Sequence, residues 1–325
     1  MRALFIGGNG IISSACSRLA VERGWELTLL NRGTESSRPP IDGAEVLIGD
    51  ATDAASVRQA IGSRVFDVVA TFRAFTADDV RADIETFAGR TGQYVFISSA
   101  SAYRKPVVTV PIVESTPLRN PFSQYSRDKI AAEDVLVAAY REDAFPGTIV
   151  RPSHTYDPTL IPLDGGWTVI DRMRRGRPTV VHGDGTSLWT LTHQRDFAKG
   201  FVPLLGDSRI VGDNVHITSD EVLTWDDVAR RLGEAAGVSP EIVHVGSRRL
   251  TRAIPEWEAP IMGDKSYSLT FDNSKIRSLV PDFAATTTFA AGAREIVAWY
   301  DAHPEYQVVD ADLDRRLDEV AAAEG

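Results

Sequence analysis

Tyr125 and Lys129 are the residues from which chemistry in this chain is most readily built. At the start of a helical pattern, positions four apart are neighbours, so both side chains share one face. An ammonium beside a phenol favours the phenolate and lowers its pKa from about 10. A phenolate so placed takes a proton from a secondary alcohol, and the phenol returns one to a ketone. Ser99 follows the apolar run Gln93-Tyr94-Val95-Phe96-Ile97 and can hydrogen-bond the same oxygen. The lysine can also hold the ribose beside a nicotinamide ring. Taken alone, Tyr-x-x-x-Lys is common, and a solvated pair explains it. The catalytic reading draws its force from the elements that come before it.

Those elements begin with Arg2-Ala3-Leu4-Phe5-Ile6, a short strand, then Gly7-Gly8-Asn9-Gly10 and a helical pattern running to Gly24. Strand, glycine turn and helix form the context of a dinucleotide fingerprint. Gly7 allows the tight turn, and Gly10 has no side chain to hold a pyrophosphate off the backbone. The helix behind them points its free N–H groups at the phosphates, so Gly7, Gly10, Ile11 and Ile12 are assigned to the cofactor. The spacing is Gly7-x-x-Gly10-x-x-Ser13, with a small serine in the third place.

A second strand, Trp25 to Leu30, ends at Asn31-Arg32-Gly33, where such folds meet the adenosine ribose. An acidic residue there would repel a 2′-phosphate. Neutral Asn31 and cationic Arg32 favour NADP over NAD, although a solvated loop charge also explains Arg32. Glu35 to Asp42 reads as a loop, and Glu45 to Asp50 as a third strand. Asp50 can accept from the adenine amino group, with Ala51 beside it, and Asp53 caps a helix over Ala54 to Ile61. A fourth strand over Phe66 to Phe72 brings Thr71 and Phe72 to the cofactor. A helix starts at Thr76, and the fifth strand leads into Ser98-Ser99-Ala100-Ser101-Ala102-Tyr103, with Ser98 on the cofactor side. A sixth strand, Thr148 to Val150, is broken by Arg151-Pro152.

Strand and helix alternate throughout, which implies right-handed crossovers and an α/β fold with a doubly wound parallel Rossmann sheet. Gly10, Asn31, Asp50, Phe72 and Ser99 all fall beyond strand carboxyl ends, the edge where such sheets bind ligands. Past Pro152 the pattern loosens. Helices are expected over Gly165 to Gly176, Asp196 to Leu205, Thr224 to Ala236, Thr288 to Tyr300 and Asp310 to Ala323. Short strands are expected at Pro178 to Val181 and Asn214 to Ile217. These pieces suit a smaller C-terminal α/β cap. Residues 1–160 are assigned to dinucleotide binding, with returning segments near 190–218, and residues 161–325 mainly to the substrate.

Composition narrows the function classes. The net charge is −10, from 35 Lys plus Arg against 45 Asp plus Glu, which argues against a general binder of nucleic acid or anionic membrane. The lone Cys16 cannot form an internal disulfide. The six histidines and this cysteine show no metal-ligand spacing, so no metal is expected. No apolar run reaches the length of a membrane span, and the N-terminus reads as a strand without a leader, so cytoplasm is the expected compartment.

The chain resembles the extended short-chain dehydrogenase/reductase family, the NAD(P)-dependent sugar epimerases and dehydratases. The matching stretches are Gly7 to Ser13, Gly49-Asp50, Ser98 to Tyr103, Tyr125 to Lys129, Arg151-Pro152-Ser153 with Tyr156-Asp157-Pro158, Gly183-Asp184-Gly185, and His193 to Asp196. The resemblance implies a Ser99, Tyr125 and Lys129 triad, with Pro152 and Ser153 beside the nicotinamide. It also implies a homodimer through the Tyr-bearing helix and its neighbour. Family 4,6-dehydratases carry Asp-Glu after the catalytic Ser or Thr. Here Ala100-Ser101 stand there, so dehydration by that route is not expected. Many members grip a diphosphate with an Arg shortly after Gly-Asp-Gly, where this chain has Trp189. Arg172, Arg174 or Arg195 could substitute. Arg73, Ser101, Tyr103, His154 and Trp189 are the candidate substrate contacts, with His193 as a further one. For the two histidines, a structural hydrogen bond is an equal alternative. Trp167, Trp257 and Trp299 are read as packing residues. The segment Gly263 to Tyr267 with Phe271-Asp272 resembles a subgroup related to chloroplast stem-loop RNA-binding proteins. The expected activity is oxidation and reduction, or epimerisation, at a secondary hydroxyl of a sugar or nucleotide sugar. An NADPH-dependent ketone or aldehyde reductase is the alternative, followed by a non-enzymatic nucleotide sensor or RNA binder.

Overall fold

Short apolar runs that must be covered on both faces become the inner strands of a parallel sheet. The computed structural model, which describes residues 1–33 and 38–323, shows this arrangement. Strands β1 (Arg2–Ile6), β2 (Glu26–Asn31), β3 (Glu45–Ile48), β4 (Phe66–Thr71), β5 (Thr91–Ile97) and β6 (Gly147–Pro152) are interleaved with four helices. These are α1 (Ser13–Glu22), α2 (Ala54–Ile61), α3 (Ala77–Phe87) and α4 (Gln124–Asp143). The sheet runs β3, β2, β1, β4, β5, β6, and Asn214–Ile217 adds a seventh strand beside β6. All its pairs are parallel. The order reverses between β1 and β4, which opens a ligand crevice at their carboxyl ends.

Side-chain alternation builds two cores. Ala3 and Phe5 of β1 join Val68, Val95 and Phe201 on one face. Leu4 and Ile6 join Val69, Phe96, Val80 and Leu136 on the other. β3 is an edge strand, and its Val46 and Ile48 remain exposed.

Most strand limits differ from expectation by one or two residues, and two of the differences bear on the site. β3 stops at Ile48, short of Asp50, which turns back on Thr52. β6 runs through Arg151 and Pro152, because Pro152 is the last paired residue, opposite Ile217, where a missing N–H breaks no later bond. Glu35, in the expected loop to Asp42, lies outside the described residues.

Helix Gln194–Phe201 packs on the sheet face beside α1, and most of the remaining chain forms a cover over the site. It contains three two-stranded ladders: His154–Tyr156 with Leu191–His193, Leu188–Trp189 with Leu223–Thr224, and Thr179–His182 with Ile242–Val245. Thr224 caps helix Trp225–Ala235 through a reciprocal box with Asp227. That helix and Phe289–Ala302 share a core around Trp225, Ile296 and Tyr300. Trp167 packs in it, and Trp257 packs with the last helix, Ala311–Ala322. Sequence periodicity did not reveal Ile242–Val245 or the π-helical turn Ile261–Lys265. No helix among the described residues is long and apolar enough to cross a membrane.

Candidate active site

The glycine turn after β1 requires its residue types. Gly7 has φ +79°, and a Cβ there would lie 2.4 Å from Cγ of Arg73. Gly8, which the sequence reading left unassigned, would meet Cδ2 of Leu29 at 2.4 Å. Ser13 does more than fit. Its Oγ accepts from the Gly10 N–H and donates to the Gly7 carbonyl, both at 2.6 Å. The serine is buried and lashes the turn to the start of α1.

Beside this turn runs a groove of about 530 Å³. Gly7, Gly10, Asn31, Arg32, Asp50 and Ala51, the residues assigned to the cofactor from sequence, are brought together along it. Asp50 accepts from the Thr52 N–H at 2.9 Å and hydroxyl at 2.8 Å, and these bonds hold its pKa below the usual value. The groove also holds Asn9 and Arg38, neither of which was anticipated. Arg38 reaches Asp157 at 2.5 Å and so ties the groove wall to the segment after β6.

Several assignments are corrected here. Arg73, expected at the substrate, lines the groove, because Gly7 leaves room for its stem. Ile11 and Ile12 do not line the groove, and Ile12 packs on the sheet core. Thr71 is buried. Phe72 sits in an aromatic trio, 5.6 Å from both Phe5 and Phe201, so its ring belongs to the core. Ser98 turns away to donate to Glu133 at 2.5 Å, and Glu133 in turn pairs with Arg151. Pro152 ends β6 as a buried residue.

A second cavity, of about 360 Å³, opens between the carboxyl ends of β5 and β6 and the covering segment. Ser99 and Tyr125, assigned to catalysis from sequence, line it together with the substrate candidates Ser101, His154 and Trp189 and the cofactor candidate Ser153. Ser123 caps α4 by accepting from the Ser126 N–H, which sets Tyr125 in the first turn. Tyr125 keeps 46% of its exposure, while Lys129, one turn on, keeps 2%. Ser99 Oγ lies 2.9 Å from Ser101 Oγ, which lies 3.0 Å from Ser126.

The expected electrostatics of the pair are not found. Desolvation raises the Tyr125 pKa, against a hydrogen bond from Ser99 that lowers it and with the nearby Asp264 charge raising it further. Lys129 donates to the carbonyls of Ala74 (2.6 Å) and Ile97 (2.8 Å), and its ammonium is 5.8 Å from the Tyr125 ring centre. Burial lowers the Lys129 pKa to about 7, despite Asp79 and Glu133. A lysine so engaged does not pull the phenol down.

His154 Nδ1 accepts from the Trp189 indole at 3.2 Å, and burial lowers its pKa to about 3, so the ring is neutral. Tyr103, predicted at the substrate, has no exposure and meets His216 at 3.1 Å and Arg151 at 3.3 Å behind the site. His193 also stays outside the cavity: its Nδ1 accepts from the Arg195 N–H at the head of helix Gln194–Phe201. None of the three candidate arginines reaches the cavity. Arg172 is held by Asp314 and Asp318, Arg174 by Asp301, and Arg195 by Glu295.

The structure adds cavity residues that sequence reasoning missed. Asp264, Lys265, Leu269 and Phe271 come from the segment that contains the π-helical turn. Asn120 fixes this segment by donating to the carbonyls of Ser101 (2.9 Å) and Gly263 (2.8 Å). The signal available in sequence was the resemblance of Gly263 to Asp272 to a subgroup, which did not say where the segment folds.

Residues 3–217 match the NAD dependent epimerase/dehydratase family. The chain belongs to that family. A chloroplast stem-loop binding protein of 41 kDa from Arabidopsis thaliana is 27% identical over 256 residues, 75% of this chain and 65% of that protein. The chain therefore spans just under two-thirds of this relative. A 2'-dehydrokanamycin reductase from Streptomyces kanamyceticus is 26% identical over 243 residues, 73% of this chain and 67% of the reductase. The fold is that of dTDP-glucose 4,6-dehydratase from Bacillus anthracis, solved in complex with NAD, with a TM-score of 0.75. Identity to that structure is 21%, with 94% of this chain and 98% of the other covered.

Proposed function

We propose that this family member is an NAD(P)-dependent oxidoreductase acting on a secondary hydroxyl of a sugar or sugar-like ring. The observation that carries the reading is that Ser99 and Tyr125 share one cavity, with Lys129 buried one turn behind them. The glycine-turn groove on the same sheet edge suits a dinucleotide in its volume of about 530 Å³ and in its lining, where Gly7 and Gly10 stand beside the cations Arg32 and Arg73. Gly7, Gly10, Asn31, Arg32, Asp50 and Ala51 would hold the cofactor, together with Arg73. When bound, the nicotinamide accepts or supplies the hydride.

The chain's own residues do the rest. Ser99 holds the substrate oxygen by a hydrogen bond. Tyr125 takes the proton from that oxygen during oxidation and returns it during reduction. Lys129, buried one turn from Tyr125 and bonded to the Ala74 and Ile97 carbonyls, does not set the phenol's pKa in this state, and its proposed role is to hold the nicotinamide ribose. Arg32 and Asn31 favour a 2′-phosphate, so NADP is proposed over NAD. The proposed division of labour gives 1–160, with returning segments near 190–218, to the dinucleotide and 161–325 mainly to the substrate, while Ser99, Tyr125 and Ser153 of the first part also face the cavity.

Two modes of turnover suit this site. An epimerase keeps its cofactor and returns the hydride to the same molecule. A reductase exchanges free NADPH in each cycle, and the 26% identity to a protein named as a reductase favours this mode. Mass spectrometry of ligands released on denaturation separates the two. Stoichiometric NAD(H) or NADP(H) in the purified protein is the epimerase outcome. Purification without cofactor, followed by saturable NADPH binding, is the reductase outcome. Failure to bind either nucleotide would refute the proposal.

A further inference from the structure

The covering segment decides the charge of the cavity. Among the described residues that line it, Lys265 is the one cation, and its Nζ lies 2.5 Å from Asp164. The next residue back, Asp264, also lines the cavity and meets the ammonium of Lys105 at 3.1 Å. Lys105 has no exposure and also donates to the Tyr103 carbonyl at 3.3 Å. The π-helical turn Ile261–Lys265 is what brings two consecutive residues of opposite charge to this roof. His154 is neutral, and the Trp189 N–H is already given to it.

An entering diphosphate would thus face the Asp264 carboxylate, and both nearby ammonium groups are already paired. Its charge would be desolvated without compensation, which is strongly unfavourable. An uncharged ring with hydroxyls meets the reverse situation. Asp264, Ser99 and Ser101 can accept its O–H groups, and the apolar surface of Trp189, Leu269 and Phe271 is there to meet its C–H groups. The volume of about 360 Å³ stands near the small end of ligand pockets, about 300–1,000 Å³.

We infer that this cavity receives an uncharged, hydroxyl-bearing ring and turns away nucleoside diphosphates, with Asp264 setting that choice. The inference rests on the cavity being the substrate side of the proposed redox site, and it separates this chain from sugar-nucleotide enzymes of its family.

The test is calorimetric titration of NADP-saturated full-length protein with UDP and with dTDP, in wild type and in Asp264→Asn. The variant leaves Lys105 uncompensated beside the cavity. Wild type is expected to show no saturable heat up to ~1 mM ligand, a ceiling of roughly −4 kcal/mol of binding free energy. Asp264→Asn is expected to gain measurable binding, tighter by tenfold or more. Saturable binding of UDP or dTDP by wild type overturns the inference. Silence in both proteins supports the exclusion but overturns the assignment to Asp264. If the variant does not fold, judged by circular dichroism, inorganic pyrophosphate titrated into wild type decides the exclusion alone. Here again, saturable binding is the overturning result. None of these readouts depends on hydride transfer, so failure of the redox reading would appear separately, as wild-type turnover surviving in Tyr125→Phe.

Discussion

The groove and the cavity lie on the same edge of one sheet and are built in opposite ways. The groove takes its lining from residues 7–73, mostly from turns that directly follow β1, β2 and β3. The cavity draws on residues 99–271, which meet only after the chain has crossed between sheet and cover several times. The groove exposes cations, Arg32 and Arg73 among them, whereas the cavity offsets Lys265 with Asp164 and Asp264 with Lys105. On the proposed assignment, the half that takes the nucleotide is built from local turns and the half that takes the substrate from distant packing.

The largest effect that would sharpen this division comes from Tyr125→Phe. Loss of the proton-carrying hydroxyl is expected to lower turnover by ~10²–10⁴-fold, the usual worth of general acid–base catalysis. Nucleotide affinity, read by NADPH fluorescence, is expected to stay within about twofold, since only the cavity is altered. Equal loss in both readouts would dissolve the distinction between the two regions.

Gly7→Ala tests the other half. The position has φ +79°, and the added methyl would fall 2.4 Å from Cγ of Arg73. Holding a non-glycine residue there costs about 1–3 kcal/mol. Cofactor affinity is expected to drop by roughly tenfold or more for each 1.4 kcal/mol lost at the turn. Arg32→Ala should act more finely. An exposed ion pair is worth about 1 kcal/mol at most, so NADP affinity is expected to fall up to about fivefold while NAD affinity holds. A matching fall in both nucleotides would remove Arg32 as the 2′-phosphate partner.

The smallest effect concerns stability and pH. Burial lowers the Lys129 pKa from 10.5 to about 7. Below pH 7 both folded and unfolded chains carry the charge, and its burial penalty is complete. Between 7 and 10.5 the unfolded chain holds a proton that the folded one has released, so stability rises with pH. In cofactor-free protein, the Tm advantage of Lys129→Met over wild type is therefore expected to shrink from pH 6 to pH 9 in differential scanning fluorimetry. An advantage that grows over this range would contradict the buried, poorly compensated ammonium.

What the sequence disclosed follows the same contrast. β1, the turn at Gly7 to Gly10, Asp53 as cap of α2, and the box formed by Thr224 and Asp227 are all short-range patterns, and each is present in the structure. Ser99 and Tyr125 were legible because each sits at the terminus of an element. Tyr103 and Ser98 were misplaced because spacing alone does not tell which side of a strand end a side chain takes. Tyr103 is drawn back to His216 and Arg151, and Ser98 to Glu133. Asp264 and Lys265 were out of reach because their partners, Lys105 and Asp164, are separated from them by 100 residues or more of chain. Their placement depends on a π-helical turn that has no periodic signature.

The measurement that bears most directly on the whole account is a crystal structure of the protein with NADPH. The account predicts the adenosine end against Asn31, Arg32 and Asp50, and the nicotinamide carbon that carries the hydride within ~4 Å of where the Tyr125 hydroxyl and Ser99 hold a substrate oxygen. A nicotinamide ring lying outside the cavity, or a Tyr125 hydroxyl turned out of it in that complex, would contradict it.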